Sequence, residues 1–276
     1  MAHVSTLIPP SPPPPGVRKA VTRSAIVGFA ALLVWGAVFV GLAMIMVNGW
    51  DTDKFVLYGP KYISGLGITL SLVAISIVCG AILSLPLAFA RMSKNRIVSG
   101  LAYLYVYVFR GTPLLAQLYL IYYGLGSFGK GLENIGLWWF FRDAYNCALL
   151  SFTLNTAAYQ AEILRGAIGS VPRGQWEGAS ALGLTKRQAF IKIIMPQALI
   201  VALRPYGNEI ILMIKGSAIV AIVTVFDLMG ETRRAFSRTY DYQTYLWAAI
   251  FYLVMVEILR NTWARLAAIL TRHLKR

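Results

Sequence analysis

The feature that most constrains this chain is an apolar run without a charged side chain, residues 25–47 (AIVGFAALLVWGAVFVGLAMIMV). As an α-helix it would reach roughly 34 Å, enough to cross the hydrocarbon core of a bilayer. Further apolar runs follow at residues 62–90, 100–124, 145–165, 197–225 and 243–264. They are continuous and do not alternate, which argues against a membrane β-barrel. The sequence therefore predicts an all-α membrane protein with six spanning helices.

The cations are unevenly divided between the loops that six spans would place on opposite sides. Sixteen of the 26 Lys and Arg residues fall on one side, at residues 18–23, 91–96, 165–192 and 260–276, and the opposite loops carry seven cations and seven acids. Positive loops stay in the cytoplasm. We therefore predict two cytoplasmic termini, a proline-rich and basic tail at 1–24 and a basic tail at 265–276. The net charge of +15 then reflects topology beside membrane lipid and argues against a nucleic-acid partner.

Residues with metal-binding or catalytic chemistry are scarce. Cys79 and Cys147 lie inside predicted spans without CxxC spacing, and the two histidines, His3 and His273, lie in the tails. This pattern predicts no disulfide, metal site or catalytic residue. GLGSFGK at 124–130 fits a phosphate-loop pattern, but a glycine follows where Ser or Thr would hold magnesium. We expect no cofactor and no energy source within this chain.

The polar stretch at residues 170–196 (SVPRGQWEGASALGLTKRQAFIKIIMP) interrupts the apolar pattern on the predicted cytoplasmic side. Ser170 is a candidate N-cap for a helix starting near Pro172, and Gly183 can end that helix in a left-handed conformation. Thr185 and Gln188 have capping-box spacing for a second helix. We expect Pro196 to interrupt that second helix.

Small side chains on the first of these helices, Gly178, Ala179 and Ala181, would let another backbone approach closely. An ordinary solvated connection is the alternative interpretation. Most loops between helices are short, however, and a stretch of this length with two capped helices favours a docking site for a partner.

Six residues of this stretch resemble the EAA loop of ABC importer permeases: Glu177, Gly178, Ala179, Gly183, Ile193 and Pro196. That pattern is E-A-A, three residues, G, nine residues and I-x-L-P, and the spacing matches throughout. Gly178 and Met195 depart from the usual Ala and Leu. The resemblance implies a coupling helix that sits in a cleft of a cytoplasmic ABC ATPase dimer, where the partner subunit uses the ATP.

The resemblance extends to most of the chain. GLGITLSLVAI at 65–75, FRGTPLLAQLYLIYYG at 109–124, LNTAAYQAEILRGAIGSVPRGQ at 154–175 and YGNEIILMIKGSAI at 206–219 resemble the polar amino acid uptake branch of type I permeases. Residues 140–276 are most similar to subunits for basic amino acids and opines. The family implies a five-helix domain at 62–264 in the bacterial inner membrane, so the span at 25–47 is an additional helix. It also implies a soluble extracytoplasmic binding protein and a second, paralogous permease as partners.

Polar groups inside membrane spans are costly and are therefore candidates for function. Arg110 precedes Gly111-Thr112-Pro113, where proline should distort the helix and free backbone carbonyls. Glu162 has Arg165 three residues on, so a structural ion pair is an equal alternative for it.

Glu209 lacks a cation on its own helical face and follows Arg204-Pro205-Tyr206-Gly207, which can break the helix. We predict that Glu209, with Asn208, lies on the path of a cationic amino acid or opine. A permanent pair between Glu209 and Arg110 is the structural alternative. The resemblance adds Gln117, Asn155, Tyr159 and Glu162 as hydrogen-bonding residues of that path.

Two other function classes fit the same composition. An ion-coupled secondary transporter could use Glu162 and Glu209 as ion sites, but it would need no docking loop and normally carries inverted repeats. An intramembrane enzyme is disfavoured because the core contains neither a histidine nor a G-x-S-x-G motif.

Overall fold

The computed structural model describes residues 22–272, in two compact units that divide after Trp50. The proline segment at 9–15, both histidines and most basic residues of the predicted tails lie outside the described residues. The first unit contributes one helix, α1 (Arg23–Asn48), whose first turn is capped by the Thr22 hydroxyl. None of its residues is buried, as an apolar helix made to face lipid requires.

The second unit is built on five long helical segments. They are α2 (Thr52–Arg91), the bent pair α3 (Arg96–Gly111) and α4 (Leu114–Tyr119) with a π-helical extension Leu120–Leu125, α7 (Ala144–Gly169), α10 (Met195–Gly216) and α12 (Gln243–Leu270). Short helices α5 (Gly129–Asn134), α6 (Trp138–Phe141), α8 (Arg173–Ala181), α9 (Lys186–Ala189) and α11 (Leu228–Thr239) connect them. The expected all-α fold, a five-helix core with an additional N-terminal helix, is confirmed.

Helix α7 lies at the centre of this unit and packs most extensively on α2. Phe152, Ala157 and Ala161 are fully buried on α7, as is Leu72 on α2. Gly80 allows the closest approach, because a β-carbon there would overlap the Thr156 side chain of α7. Small residues thus bring the two backbones together, as is usual between membrane helices.

Three helices of the described chain, including α1 and α2, are long and apolar enough to cross a membrane, and four if the bent pair counts as one span. The third is a continuous helix over Lys186–Val223 that includes α10. At 26 and 28 residues, α7 and α12 would measure about 39 and 42 Å, but they are less apolar. The count of six spans stays a prediction.

An ion pair ties the first turn of α2 to the loop before α12. Lys54 Nζ lies 2.8 Å from Asp241 Oδ2. The hydrogen bond from the Lys54 ammonium holds the pKa of Asp241 below its usual range. This contact closes the end of the unit that the charge pattern assigns to the outside.

Three local predictions about helix ends are wrong. Ser170 does not cap α8, because its hydroxyl donates to Ala167 O at the end of α7. Pro196 does not interrupt its helix, since a π-helical turn over Phe190–Ile194 directly before it joins α9 to α10. Pro205 lies inside α10 without ending it.

Candidate coupling loop and substrate path

The stretch at 170–196 forms a helical hairpin, α8 and α9, with both turn signals as predicted. Gly183 has a left-handed φ of 73°, and Leu184 N donates to Ala179 O at 3.1 Å across it. Thr185 and Gln188 form the expected capping box. The hairpin is therefore specified locally by its own sequence.

The residues of the coupling motif divide between the two sides of the hairpin. Glu177, Gly178, Gly183 and Pro196 are exposed, and Ile193 is half-buried. Ala179 is only 2% exposed, so it packs inward. A β-carbon at Gly178 would meet no atom within 4 Å. The surface open to a partner is therefore on the Glu177–Gly178 side of α8.

Aromatic side chains connect this hairpin to the end of α2. The ring of Trp176 stacks on Phe190 with centroids 6.3 Å apart, and Phe190 meets Phe89 edge-on at 5.7 Å. Phe89 lies two residues before Arg91, the last residue of α2. The hairpin is thus packed against a membrane helix.

The helix break at Pro113 is confirmed, with a bend of 104° between α3 and the α4 segment. Gln117 Nε2 donates to Phe109 O at 2.9 Å and to Thr112 Oγ1 at 2.8 Å. Asn155 Nδ2 donates to the same Phe109 oxygen at 2.9 Å and to Gln117 Oε1 at 3.1 Å. The two amides that the resemblance assigns to the substrate path are occupied in holding this bend.

Arg110 is exposed next to the bend. Its guanidinium carbon lies 5.0 Å from the centre of the Tyr159 ring, and the Tyr159 hydroxyl lies 3.5 Å from Arg110 O. No salt bridge joins Arg110 to Glu209 or to any other acid within residues 22–272, although the Arg110 charge acts on the Glu209 carboxylate. The direct Glu209–Arg110 salt bridge considered from sequence is therefore not formed in the described chain.

Glu162 is held between two arginines at the cytoplasmic end predicted for the core. Its Oε2 lies 2.7 Å from Arg165 Nη2, the neighbour expected from the i,i+3 spacing. Its Oε1 lies 2.9 Å from Arg91 Nε. Sequence reasoning missed Arg91 because 71 residues separate it from Glu162.

Glu209 is 5% exposed and has a different environment. Its Oε1 accepts a hydrogen bond of 2.9 Å from Thr156 Oγ1 on α7, which in turn accepts one from Gln160 at 3.1 Å. Asn208, its neighbour, points to the exposed side of α10. Thr156 was also missed, although it lies in the same LNTAAYQ motif as Asn155 and Tyr159.

Two cavities lie between the core helices. One, of about 380 Å³, lies between α3, α7 and α10, and the other, of about 300 Å³, lies between α2, α3 and α7. Both are lined by Arg110, Tyr159 and Glu162. Both are open grooves in which these three polar side chains stand among mainly apolar ones.

The chain belongs to the family of binding-protein-dependent transport system inner membrane components, whose family model matches residues 76–274. Members of this family are permease subunits and not enzymes. The expectation of an ABC importer permease is confirmed, whereas the ion-coupled transporter finds no support among the relatives.

Two relatives and one solved structure illustrate the similarity. The nopaline transport system permease protein NocM of Agrobacterium fabrum is 43% identical over 200 residues, covering 72% of this chain and 83% of that protein. The histidine/lysine/arginine/ornithine transport system permease protein HisM of Escherichia coli K12 is 39% identical, covering 77% and 90%. A chain in the crystal structure of an amino acid ABC transporter with histidines is 36% identical with a TM-score of 0.68, covering 81% of this chain and 99% of that one.

Proposed function

We propose that this permease imports amino acids or opines with a cationic side chain, driven by a separate ATPase dimer at the hairpin. The observation that carries the proposal is the α8–α9 hairpin, in which α8 presents Glu177 and Gly178 to the outside of the fold and α9 begins at a capping box. The substrate class is supported by the relatives, which serve nopaline and basic amino acids.

The partners follow from the same reasoning. A soluble binding protein would deliver the substrate outside, and a second, paralogous permease would complete the channel in the inner membrane. The charge pattern supports two cytoplasmic termini, which puts the hairpin on the side of the ATPase. Reporter fusions at Gly16 and after Arg276 should both report cytoplasm. Purification of the tagged chain should recover the paralogue, and recovery of a second copy of this chain alone would contradict the heterodimer.

The coupling role is tested at Gly178, where the fold leaves open space. Gly178→Arg should fold and reach the membrane but lose ATPase association and ATP-dependent uptake, because a bulky cation would block close docking. Gly178→Ala is the matched control and should retain both activities, since alanine is the usual residue of the motif. Wild-type uptake by Gly178→Arg would exclude the hairpin as the coupling element. Ala179→Arg is unsuitable, because Ala179 is buried.

The cationic end of the substrate is assigned to Glu209. Its carboxylate has one hydroxyl donor and no salt bridge within the described residues, while Arg110 acts on it without direct contact. A passing ammonium or guanidinium would therefore supply a direct partner. Glu209→Gln should assemble normally and lose uptake of cationic substrates. Glu257→Gln, at an exposed carboxylate on α12, should leave uptake unchanged. Failure of Glu209→Gln to assemble would instead identify Glu209 as a structural residue.

A further inference from the structure

Helix α11 carries a high density of charge for a membrane protein. Its twelve residues include Glu231, Arg233, Arg234 and Arg238. Charged side chains are costly in the hydrocarbon core, so this helix belongs at the membrane surface. Asp241, two residues beyond its end, pairs with Lys54 at the end of the unit that the charge pattern assigns to the outside. Helix α11 is therefore open to a partner on the extracytoplasmic side.

The first turn of α11 is fixed to α2. The Asp227 carboxylate accepts a hydrogen bond of 2.8 Å from Gly230 N, and Leu228 N donates to Thr69 Oγ1 on α2 at 3.1 Å. Gly65 of α2 packs directly on this turn, because a β-carbon there would lie 2.8 Å from Asp227 O. The outer face of α11 therefore has a defined position in the fold.

Two strained residues flank α11. Thr224 and Tyr240 have φ angles of 64° and 51°, and they are the two non-glycine residues with a left-handed backbone in the part of the chain that the structure describes. Glycine is the usual residue for this conformation. Tyr240 is nevertheless 78% exposed, so packing within the chain does not account for a large aromatic side chain there. Strain of this kind concentrates at functional positions.

Two open grooves, here called the outer grooves, adjoin α11 and meet at Arg233. The first, of about 540 Å³, has aromatic and cationic side chains in its lining, which includes Phe226, Arg233, Arg234, Phe236, Ser237 and Tyr245. The second, of about 520 Å³, runs along the 3₁₀-helical segment Ser217–Val223 and is apolar apart from Arg233. Arg233 therefore offers its charge to a partner that fills either groove.

The charge of Arg233 is not neutralised within the described residues. Its guanidinium donates to Ala221 O at 3.1 Å, which leaves donors for an outside acceptor. Arg234, by contrast, lies 3.5 Å from Glu231 and covers the Phe226 ring. A planar guanidinium binds a carboxylate through two parallel hydrogen bonds, so the outer grooves suit an acidic group.

The composition of this surface favours a partner that binds and leaves. Arginine and aromatic residues contribute most of the energy at protein interfaces, and Phe226 and Tyr242 are 48% and 74% exposed. Permanent interfaces are mostly apolar, whereas charge complementarity speeds repeated encounters. A soluble binding protein has to associate and dissociate in every transport cycle, which a second permease does not.

We infer that the outer grooves dock the soluble binding protein, and that Arg233 binds a carboxylate on its surface. This inference rests on the proposed function, which supplies the partner. It adds the place on this chain where that partner binds and the charge that holds it. The other occupant of such a surface, the second permease, is separated by the experiment below.

The affinity of the binding protein encoded beside this permease is measured on the complex of both permeases with the ATPase, held in nanodiscs. Arg233→Gln should weaken binding about tenfold or more, as expected for a charged hydrogen-bonded pair, and Arg233→Lys should fall between the two. Wild-type affinity should fall as ionic strength rises, and that of Arg233→Gln should fall less.

Arg238→Gln is the matched control. It removes the same charge from the same helix, but Arg238 lies about 140° around the helix from Arg233 and lines neither of the outer grooves. Its affinity should stay within about twofold of wild type, because it keeps the direct pair. Equal affinity of wild type and Arg233→Gln would overturn the inference, as would an equal loss in Arg238→Gln.

A photo-reactive residue in place of Ser237, which is exposed in the first outer groove, tests the same surface in cells with Arg233 intact. It should cross-link to the binding protein, and the same residue at Ser127, exposed in another predicted outer loop, should not. This result decides if Arg233→Gln does not assemble, and a cross-link from Ser237 to the second permease would overturn the inference. Failure of the proposed function looks different: wild type would bind the binding protein through Arg233 without ATP-dependent uptake of cationic amino acids or opines.

Discussion

Two prolines in the membrane helices of this chain, Pro113 and Pro205, have opposite effects on their helices. Helix α3 ends two residues before Pro113, and the chain turns by 104°. Helix α10 continues through Pro205 to Gly216. The residue before a proline is disfavoured in the α-region, and Thr112 obeys this rule with an extended ψ of 147°, whereas Arg204 stays helical.

The surroundings of each proline explain the difference. At Pro113 the carbonyl oxygens released by the break find donors in Gln117 and Asn155, so the bend carries little unsatisfied polarity. At Pro205 the Trp263 side chain of α12 contacts α10 both before and after the proline. Trp263 donates to Leu203 O at 2.7 Å, and its indole fills the space where a Gly207 β-carbon would stand. At Pro113 side-chain donors thus satisfy the carbonyl freed by the break, whereas at Pro205 a side chain of another helix packs against a helix that stays continuous.

The largest loss of stability should come from adding a side chain at Gly207, next to Trp263. Gly207→Ala would place a β-carbon into the Trp263 ring and should lower stability by about 3 kcal/mol, the upper part of the range for overpacking. Gly111→Ala, at the end of α3, is the control, because a β-carbon there meets no atom within 4 Å. Thermal unfolding of the purified permease in detergent measures both. Equal midpoints would show that Trp263 moves aside freely.

A smaller loss is expected when the bend loses its donor. Gln117→Ala removes the amide that donates to Phe109 O and Thr112 Oγ1 and accepts from Asn155. This should cost about 2 kcal/mol because several hydrogen bonds are lost at once, although Phe109 O keeps Asn155 as a donor. Gln197→Ala, where the amide bonds an exposed glutamine on α8 and one carbonyl of its own helix, that of Ile193, should cost clearly less. If the two variants unfold at the same temperature, the amide of Gln117 is not what stabilises the break.

The indole hydrogen bond alone should contribute about 1 kcal/mol. Trp263→Phe keeps an aromatic ring against Gly207 but loses the donor to Leu203 O. We expect a small fall in the unfolding temperature and normal assembly. The double variant Trp263→Phe with Gly207→Ala should be less destabilised than the sum of the single variants, because the smaller ring relieves the overlap. Strict additivity would contradict the proposed contact.

The smallest effect is expected at the proline that does not break its helix. Pro205→Ala restores a backbone N–H to a helix that is already continuous, so stability should change by less than about 1 kcal/mol, with the gained hydrogen bond offset by a freer unfolded chain. A large stabilisation would show that Pro205 strains α10, and the comparison with Pro113 would then need revision.

Local signals in the sequence predicted local structure well. Gly183 and the Thr185–Gln188 pair act within one turn of the chain, and each behaves as expected. The prediction that Ser170 caps α8 is wrong because α7 extends to Gly169 and the Ser170 hydroxyl donates to the last turn of α7. The prediction that Pro205 breaks its helix is wrong, and the helix that packs beside it, α12, is distant in sequence.

In the candidate site, too, contacts within one helical turn could be predicted and contacts between distant residues could not. The Glu162–Arg165 pair lies within one turn and was anticipated. The Arg91–Glu162 and Thr156–Glu209 contacts join residues 71 and 53 positions apart, and only the packing of α7 against α2 and α10 brings them together. Polarity within a span singled out both carboxylates, but it could not say which of them was already neutralised by arginines.

The continuous helix over Lys186–Val223 has a mechanical consequence. Its 38 residues would measure about 57 Å, and the helix runs without a break from the hairpin end past Glu209. A tilt of about 10° around its midpoint would move each end by about 5 Å, nearly one helical turn. If the hairpin docks the ATPase as proposed, its movement would reach the level of Glu209 as the swing of a lever, and the π-helical turn at Phe190–Ile194 is where such a rod would bend first.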